Sequence, residues 1–125
     1  MVLVVEDDAD MRELLTHLVT NAGYECVGAP DGRTAARMLV TAEPAAIILD
    51  VEMPDMDGLD LCRLVRQGPA GRDTTIVMFS ANVHPDAIAA GLAAGADRYL
   101  LKPLSPRHVI AELRDAMSER VPSVL

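Results

Sequence analysis

The sequence predicts an open α/β fold: a five-stranded parallel sheet with five helices packed on both of its faces. Three observations predict it. Five short apolar runs rich in Val, Ile and Leu alternate with five segments of helical period along the whole chain. The run Ala46-Ile47-Ile48-Leu49 is continuous rather than alternating, as a strand covered on both faces must be. Glycine, proline or a short acidic cluster marks most of the junctions, the expected punctuation of strand–loop–helix units. The chain has 125 residues, half of them hydrophobic, which suffices to bury a core without covalent staples. With one Phe, two Tyr and no Trp, that core must be built from Val, Ile, Leu, Met and Ala.

Val2 to Val5 is the first strand, ended by Glu6-Asp7-Asp8. Met11, Leu14, Leu15, Leu18 and Val19 then fall on one face of a first helix, with Asp8 as its cap. Gly23 suits the left-handed position that stops it. Tyr24 to Gly28 is the second strand. Asp31-Gly32 opens a second helix with Ala36, Leu39 and Val40 as its inner face, and Pro44 separates it from the third strand, Ala45 to Leu49. Gly58 leads into a third helix carrying Leu61, Cys62, Leu64 and Val65, closed by the loop Gly68-Pro69-Ala70-Gly71. Thr75 to Phe79 is the fourth strand, ending at Ser80. Pro85 fits the first turn of a fourth helix, His84 to Ala94. Arg98 to Leu101 is the fifth strand, closed by Lys102-Pro103. The last helix starts at Pro106, with Val109, Ile110, Leu113, Ala116 and Met117 on one face. One domain is expected over residues 1–120, with 121–125 a tail or the start of a linker.

Net charge is −8, with a pI near 4.7. That balance argues against direct nucleic-acid binding and against anionic membranes. No apolar run is long enough to span a bilayer and the N-terminus has no signal-peptide pattern, so a soluble, cytoplasmic protein is expected. Cys26 and Cys62 lie in apolar segments without metal-ligand spacing and read as small core residues in a reducing compartment, with a disulfide as the alternative. His17, His84 and His108 are scattered over predicted helices and read as surface residues, none a phosphodonor.

The chemistry concentrates at the strand ends. In a parallel sheet all strands end at one edge, where open α/β folds bind ligands. Here the first, third, fourth and fifth strands end in Glu6-Asp7, Asp50, Ser80 and Lys102. Adjacent strands lie about 4.8 Å apart, so carboxylates from two of them can converge on one ion. Oxygen ligands without thiolate or imidazole select a hard cation, Mg²⁺ foremost. Taken singly each residue has a plainer role: an acidic trio is a solvated helix start, a serine a turn residue, a lysine a surface charge. Together they form the set that phosphoryl transfer to Asp50 requires: a nucleophilic carboxylate, a metal, a hydroxyl and an ammonium.

Val5-Glu6-Asp7, Leu49-Asp50-Val51-Glu52-Met53-Pro54 with Asp57-Gly58, Phe79-Ser80-Ala81, and Gly95-Ala96-Asp97 through Tyr99 to Lys102-Pro103 resemble the receiver domain of two-component response regulators. The resemblance runs over essentially the whole chain. It implies the flavodoxin-like (βα)5 sheet order 2-1-3-4-5. It implies Asp50 as phosphoacceptor, served by a histidine kinase or a histidine phosphotransfer protein. It implies Mg²⁺ held by Asp7, by Glu6 through water, by Asp50 and by the backbone carbonyl of Glu52. Ser80 occupies the hydroxyl switch position, Tyr99 the aromatic switch position and Lys102 that of the family's lysine. Glu6 stands where Asp is commoner, and Glu52 and Asn82 lie where the family tunes phosphoryl lifetime.

The fourth helix is rich in Ala and has Gly91 in its interior, which costs about 1 kcal/mol against Ala. Only Ile88 and Leu92 offer it substantial anchors. A weakly held helix beside Ser80 and Tyr99 is the expected moving part, so phosphorylation should repack the face made by the fourth helix, fifth strand and fifth helix. That face would control a downstream protein or a fused output domain, and could form a homodimer using Asp97 and Arg114. Such a domain is not an enzyme beyond promoting its own phosphorylation and dephosphorylation. Two alternatives use the same residues: a Mg²⁺-dependent phosphohydrolase of the haloacid-dehalogenase type, and a binding module that keeps only the fold. The first would carry its nucleophile on the first strand and its acidic pair late, the reverse of the order here.

Overall fold

The computed structural model describes residues 1–68, 71–103 and 105–119. Ten elements alternate: β1 (Val2–Val5), α1 (Ala9–Asn21), β2 (Cys26–Ala29), α2 (Gly32–Met38), β3 (Ala46–Asp50), α3 (Gly58–Gln67), β4 (Thr75–Ser80), α4 (Pro85–Ala94), β5 (Arg98–Leu101) and α5 (Pro106–Glu119). All strand pairs are parallel, in the order β2-β1-β3-β4-β5. The expected topology is therefore present.

Alternation along the strands sorts the core into two layers. Leu3, Val5, Ile47, Leu49, Ile76 and Met78 face α2, α3 and α4, where Ala35, Leu61, Cys62, Val65 and Ala94 meet them. Val2, Val4, Ile48, Val77 and Phe79 face α1 and α5, where Leu15, Val19, Val109, Leu113 and Ala116 meet them. The three central strands are buried on both faces, which is why they read as unbroken apolar runs.

Caps set the helix starts. Asp8, Asp31 and Asp57 accept hydrogen bonds from the first-turn amides of α1, α2 and α3, and the His84 side chain does the same for α4. Gly23 and Gly95 take positive φ after α1 and α4, as C-terminal glycines do.

Several expected boundaries move. The second strand begins at Cys26 rather than Tyr24, because the Tyr24 amide still bonds Val19 O in the turn that closes α1. Helix α2 ends at Met38; Gly32 and Ala35 are its buried residues, Ala36 and Leu39 pack half-buried against the same core as expected, and only Val40 turns away. Leu39 becomes its C-cap, and Val40 is 82% exposed in the tighter turns that follow. The β-branched pair Val40-Thr41 gives the helix little reason to continue. Leu14 and Leu64, expected inward, lie at the rim of their stripes and are exposed. His84 caps α4 instead of belonging to it. Both cysteines are free, Cys62 fully buried and Cys26 partly. Pro69 and Ala70 of the loop after α3, and the tail from Val121, lie outside the described residues.

Candidate functional site

The register brings the strand ends together. Val5 pairs with Leu49, so Glu6 stands level with Asp50. Asp50 pairs with Phe79, and Ser80 with Leu101, so Ser80 and Lys102 each stand one step beyond. Carboxylate oxygens of Glu6, Asp7 and Asp50 lie within 4.8 Å of one another. Asp50 is 2% exposed. One of its oxygens accepts from the Glu52 amide at 3.0 Å and the other from Lys102 Nζ at 3.2 Å. Lys102 itself lies over the Phe79 ring, 4.9 Å from its centroid, which holds the ammonium against the sheet end. Its backbone amide bonds Ser80 O.

Glu6 is buried as deeply as Asp50. Its Oε1 accepts from the Asp8 amide at 3.1 Å, while no donor group reaches Oε2. Burial first, then the hydrogen bond and negative charge of Asp50, push the Glu6 carboxyl up to about 8. A buried, unsatisfied carboxylate oxygen among two more carboxylates is a site built for a cation. Hard oxygen donors at this spacing fit Mg²⁺, and Glu6, Asp7 and Asp50 supply them.

Ser80 is completely buried, but its hydroxyl donates to Glu52 Oε1 rather than to Asp50. The Ala81 amide donates to the same Glu52 oxygen at 3.1 Å, and the Asn82 amide donates to Ser80 Oγ at 3.0 Å. The bond from Ser80 holds the exposed Glu52 carboxyl below its usual range. Tyr99 is half-buried, and its hydroxyl donates to Asn82 O at 3.3 Å. Its ring covers Gly91, where an added Cβ would lie 2.7 Å from Tyr99 Cδ2. The glycine that weakens α4 is thus the seat of the aromatic side chain.

The loop after Asp50 is fixed from both sides. A Cβ on Gly58 would meet Val51 Cα at 2.7 Å, so only glycine lets α3 start this close to the site. Asp55 accepts from the Gly32 and Arg33 amides at 3.1 and 3.0 Å, tying the loop to the first turn of α2. Sequence patterns gave no sign of the Asp55 tie or of the Glu52–Ser80 bond, since both join residues more than twenty positions apart.

Within the domain Asp97 accepts from Arg66 and from the Ile76 amide, and Arg114 donates to Ala22 O. The histidines sit outside the notch: His84 caps α4, and His108 Nε2 lies 3.7 Å from Glu112 on the exposed side of α5. Among the described residues no helix is long and apolar enough to cross a membrane.

Comparison with known proteins agrees with this geometry. The family model for the response regulator receiver domain matches residues 2–114. The phosphate regulon transcriptional regulatory protein PhoB of Pseudomonas aeruginosa is 34% identical over 121 residues, covering 97% of this chain and 53% of PhoB. The response regulator MprA of Mycolicibacterium vanbaalenii is 38% identical over 121 residues, covering 97% of this chain and 52% of its own. The chain thus spans about half the length of these curated relatives. Among solved structures, the chemotaxis response regulator CheY4 of Vibrio cholerae superposes with a TM-score of 0.85 at 34% identity, over 92% of this chain and 96% of that one. With an acidic pair just after β1, Asp50 at the end of β3, a lysine after β5 and the family model matched over residues 2–114, the chain belongs to the response regulator receiver domain family.

Proposed function

We propose that this domain is a phosphorylation-activated switch in which Asp50 takes a phosphoryl group from the histidine of a kinase or of a histidine phosphotransfer protein. In the transfer an Asp50 oxygen forms the new O–P bond as the N–P bond to the donor imidazole breaks, and the imidazole keeps the electron pair. The observation that carries this is the setting of Asp50: buried, flanked by two carboxylates, and held by the Glu52 amide and Lys102 Nζ. Glu6, Asp7, Asp50 and the backbone carbonyl of Glu52 would hold Mg²⁺. When bound, that ion neutralises charge on the transferring group. Lys102, already at Asp50, would stabilise the same charge. Ser80, one step past Asp50 on the adjacent strand, supplies a hydroxyl to a phosphoryl oxygen once it is released from Glu52.

The downstream event is repacking of the face formed by α4, β5 and α5, where Tyr99 already bridges the loop after Ser80 to Gly91. A partner protein, a fused output domain or a second copy would read that face. The curated relatives are regulators of about twice this length, whereas CheY4 matches over 96% of its own chain, so a fused output domain and a separate partner are both candidate readers. The acidic surface favours protein partners over direct nucleic-acid contact by this domain, in the cytoplasm.

Acetyl phosphate and intact mass spectrometry test the proposal. Wild-type protein should gain one phosphoryl group with Mg²⁺, and none with chelator. Asp50→Asn should gain none under either condition. Phosphorylation of Asp50→Asn, or metal-independent phosphorylation, would refute it. Multiple turnover of a small phosphate ester would revive the phosphohydrolase alternative.

A further inference from the structure

We infer that the Glu52 side chain is a tethered stand-in for the phosphoryl group, latching the loop after β4 until Asp50 is modified. The inference rests on the switch function proposed above and adds a positioning residue to it. Two donors converge on one Glu52 oxygen: the Ser80 hydroxyl and the Ala81 amide. A hydroxyl and an amide aimed at one anionic oxygen are also the pair that an oxygen of a phosphorylated Asp50 would recruit. Glu52 follows Asp50 by two residues, and its own amide is bonded to Asp50 Oδ1, so acceptor and stand-in share one short loop.

Proton accounting makes the two states exclusive. Ser80 Oγ carries one hydrogen, and it already accepts from the Asn82 amide. That hydrogen goes either to Glu52 or to a phosphoryl oxygen. A phosphorylated Asp50 also carries more negative charge than the free carboxylate, so it repels the Glu52 carboxylate from the position it would need to keep. Glu52 is exposed, and solvent can receive it when it leaves. The latch reaches further than Ser80. Asn82 bonds Ser80 through its amide and Tyr99 through its carbonyl, so the loop held by Glu52 is the loop that holds the Tyr99 hydroxyl. Val51, Glu52, Ser80, Asn82, Ala87 and Tyr99 share the wall of one open cleft between the two loops. Freeing Glu52 therefore frees the cleft's closing contact and leaves the Ser80–Tyr99 unit to rearrange.

Amide hydrogen exchange of the unphosphorylated protein and acetyl phosphate kinetics, both applied to wild type, Glu52→Ala and Glu52→Gln, test the latch. In Glu52→Ala the Ala81 and Asn82 amides should exchange several-fold faster while β1 and β3 amides stay unchanged. Glu52→Gln keeps a carbonyl acceptor and should restore most of that protection, which a general loss of loop packing would not. Phosphorylation of Glu52→Ala should be several-fold faster than wild type, with Glu52→Gln between them. Unchanged Ala81 exchange in Glu52→Ala, or phosphorylation no faster than wild type, would overturn the latch. If wild type accepts no phosphoryl group at all, the switch function falls, and the exchange comparison still decides whether Glu52 holds the loop.

Discussion

Glu6 shows what the acidic notch costs a single residue. The residue is 2% exposed, one carboxyl oxygen is held by the Asp8 amide, and no donor group reaches the other. Burial and the neighbouring Asp50 push it up to about 8, so in metal-free protein near neutral pH it keeps its proton. The folded value lies above that of the unfolded chain, so the stability it confers is complete below the unfolded value. That stability is lost as pH rises through the folded value. Urea midpoints measured with chelator should therefore fall between about pH 5 and about pH 8.5, by at most a few kcal/mol in free energy. Glu6→Gln should flatten that slope, and Mg²⁺ should reduce it in wild type by favouring the ionised carboxylate. A midpoint that instead rises over this range would contradict the assignment. The positions of Glu6, Asp7, Asp50 and Lys102 were legible in the sequence, because a strand end needs only an apolar run and the polar residue after it. The hydroxyl of Ser80 was placed correctly but its partner was not. Side-chain direction within a loop depends on contacts such as that with Glu52, which no local pattern encodes.

Among the elements, α3 and α4 depend on a residue that periodicity did not single out. Arg66, on the last turn of α3, donates to Gly95 O at the end of α4 and to the carbonyls of Gly71 and Thr74 before β4. It also forms a half-buried ion pair with Asp97 at 3.0 Å. One guanidinium thus fastens α3, the loop before β4 and the loop before β5 at the edge of the sheet opposite the notch. Arg66→Ala should lower stability by about 2–4 kcal/mol, since it removes a partly buried charge-assisted network rather than a surface pair. The metal-dependent phosphorylation of folded protein should persist, as no notch residue touches Arg66. Thermal unfolding with intact-mass phosphorylation checks both halves; a loss below about 1 kcal/mol would mean that the network is solvated. Strongly periodic elements such as α5 were readable almost to the residue. The short helix α2 was not, because its length is set by the Asp31 cap, by Asp55 reaching from another loop and by the weak helix formers at Val40-Thr41. Gly91 was legible as a weakness in α4 but not as the seat of Tyr99, since packing rather than propensity explains it.

Across the whole molecule the two core layers are held unequally. The layer beneath α1 and α5 buries Leu15, Val19, Val109, Leu113 and Ala116 against the sheet, a set dominated by large aliphatic side chains. On the opposite layer α4 buries only Gly91 and Ala94, and leaves Leu92 about half exposed. Burial of a Leu or Val side chain stabilises by about 1.5–3 kcal/mol, so an element anchored by Gly and Ala sits far lower on the local stability scale. The notch lies at the carboxyl ends of β1 and β3, firmly packed, while Ser80 leads directly into the loose element. A change at Asp50 thus has a rigid side, which fixes Asp50 itself, and a compliant side, which can answer it. With Mg²⁺ and beryllofluoride as a phosphoryl mimic, amide exchange should change chiefly over residues 81–101 and the start of α5. Exchange in β1, α1 and β3 should change little beyond the residues that touch the mimic. The Tyr99 ring signal should shift as its hydroxyl leaves Asn82 O. Exchange differences confined to α1 or α2 would place the compliant side elsewhere and remove the face formed by α4, β5 and α5 from the output pathway.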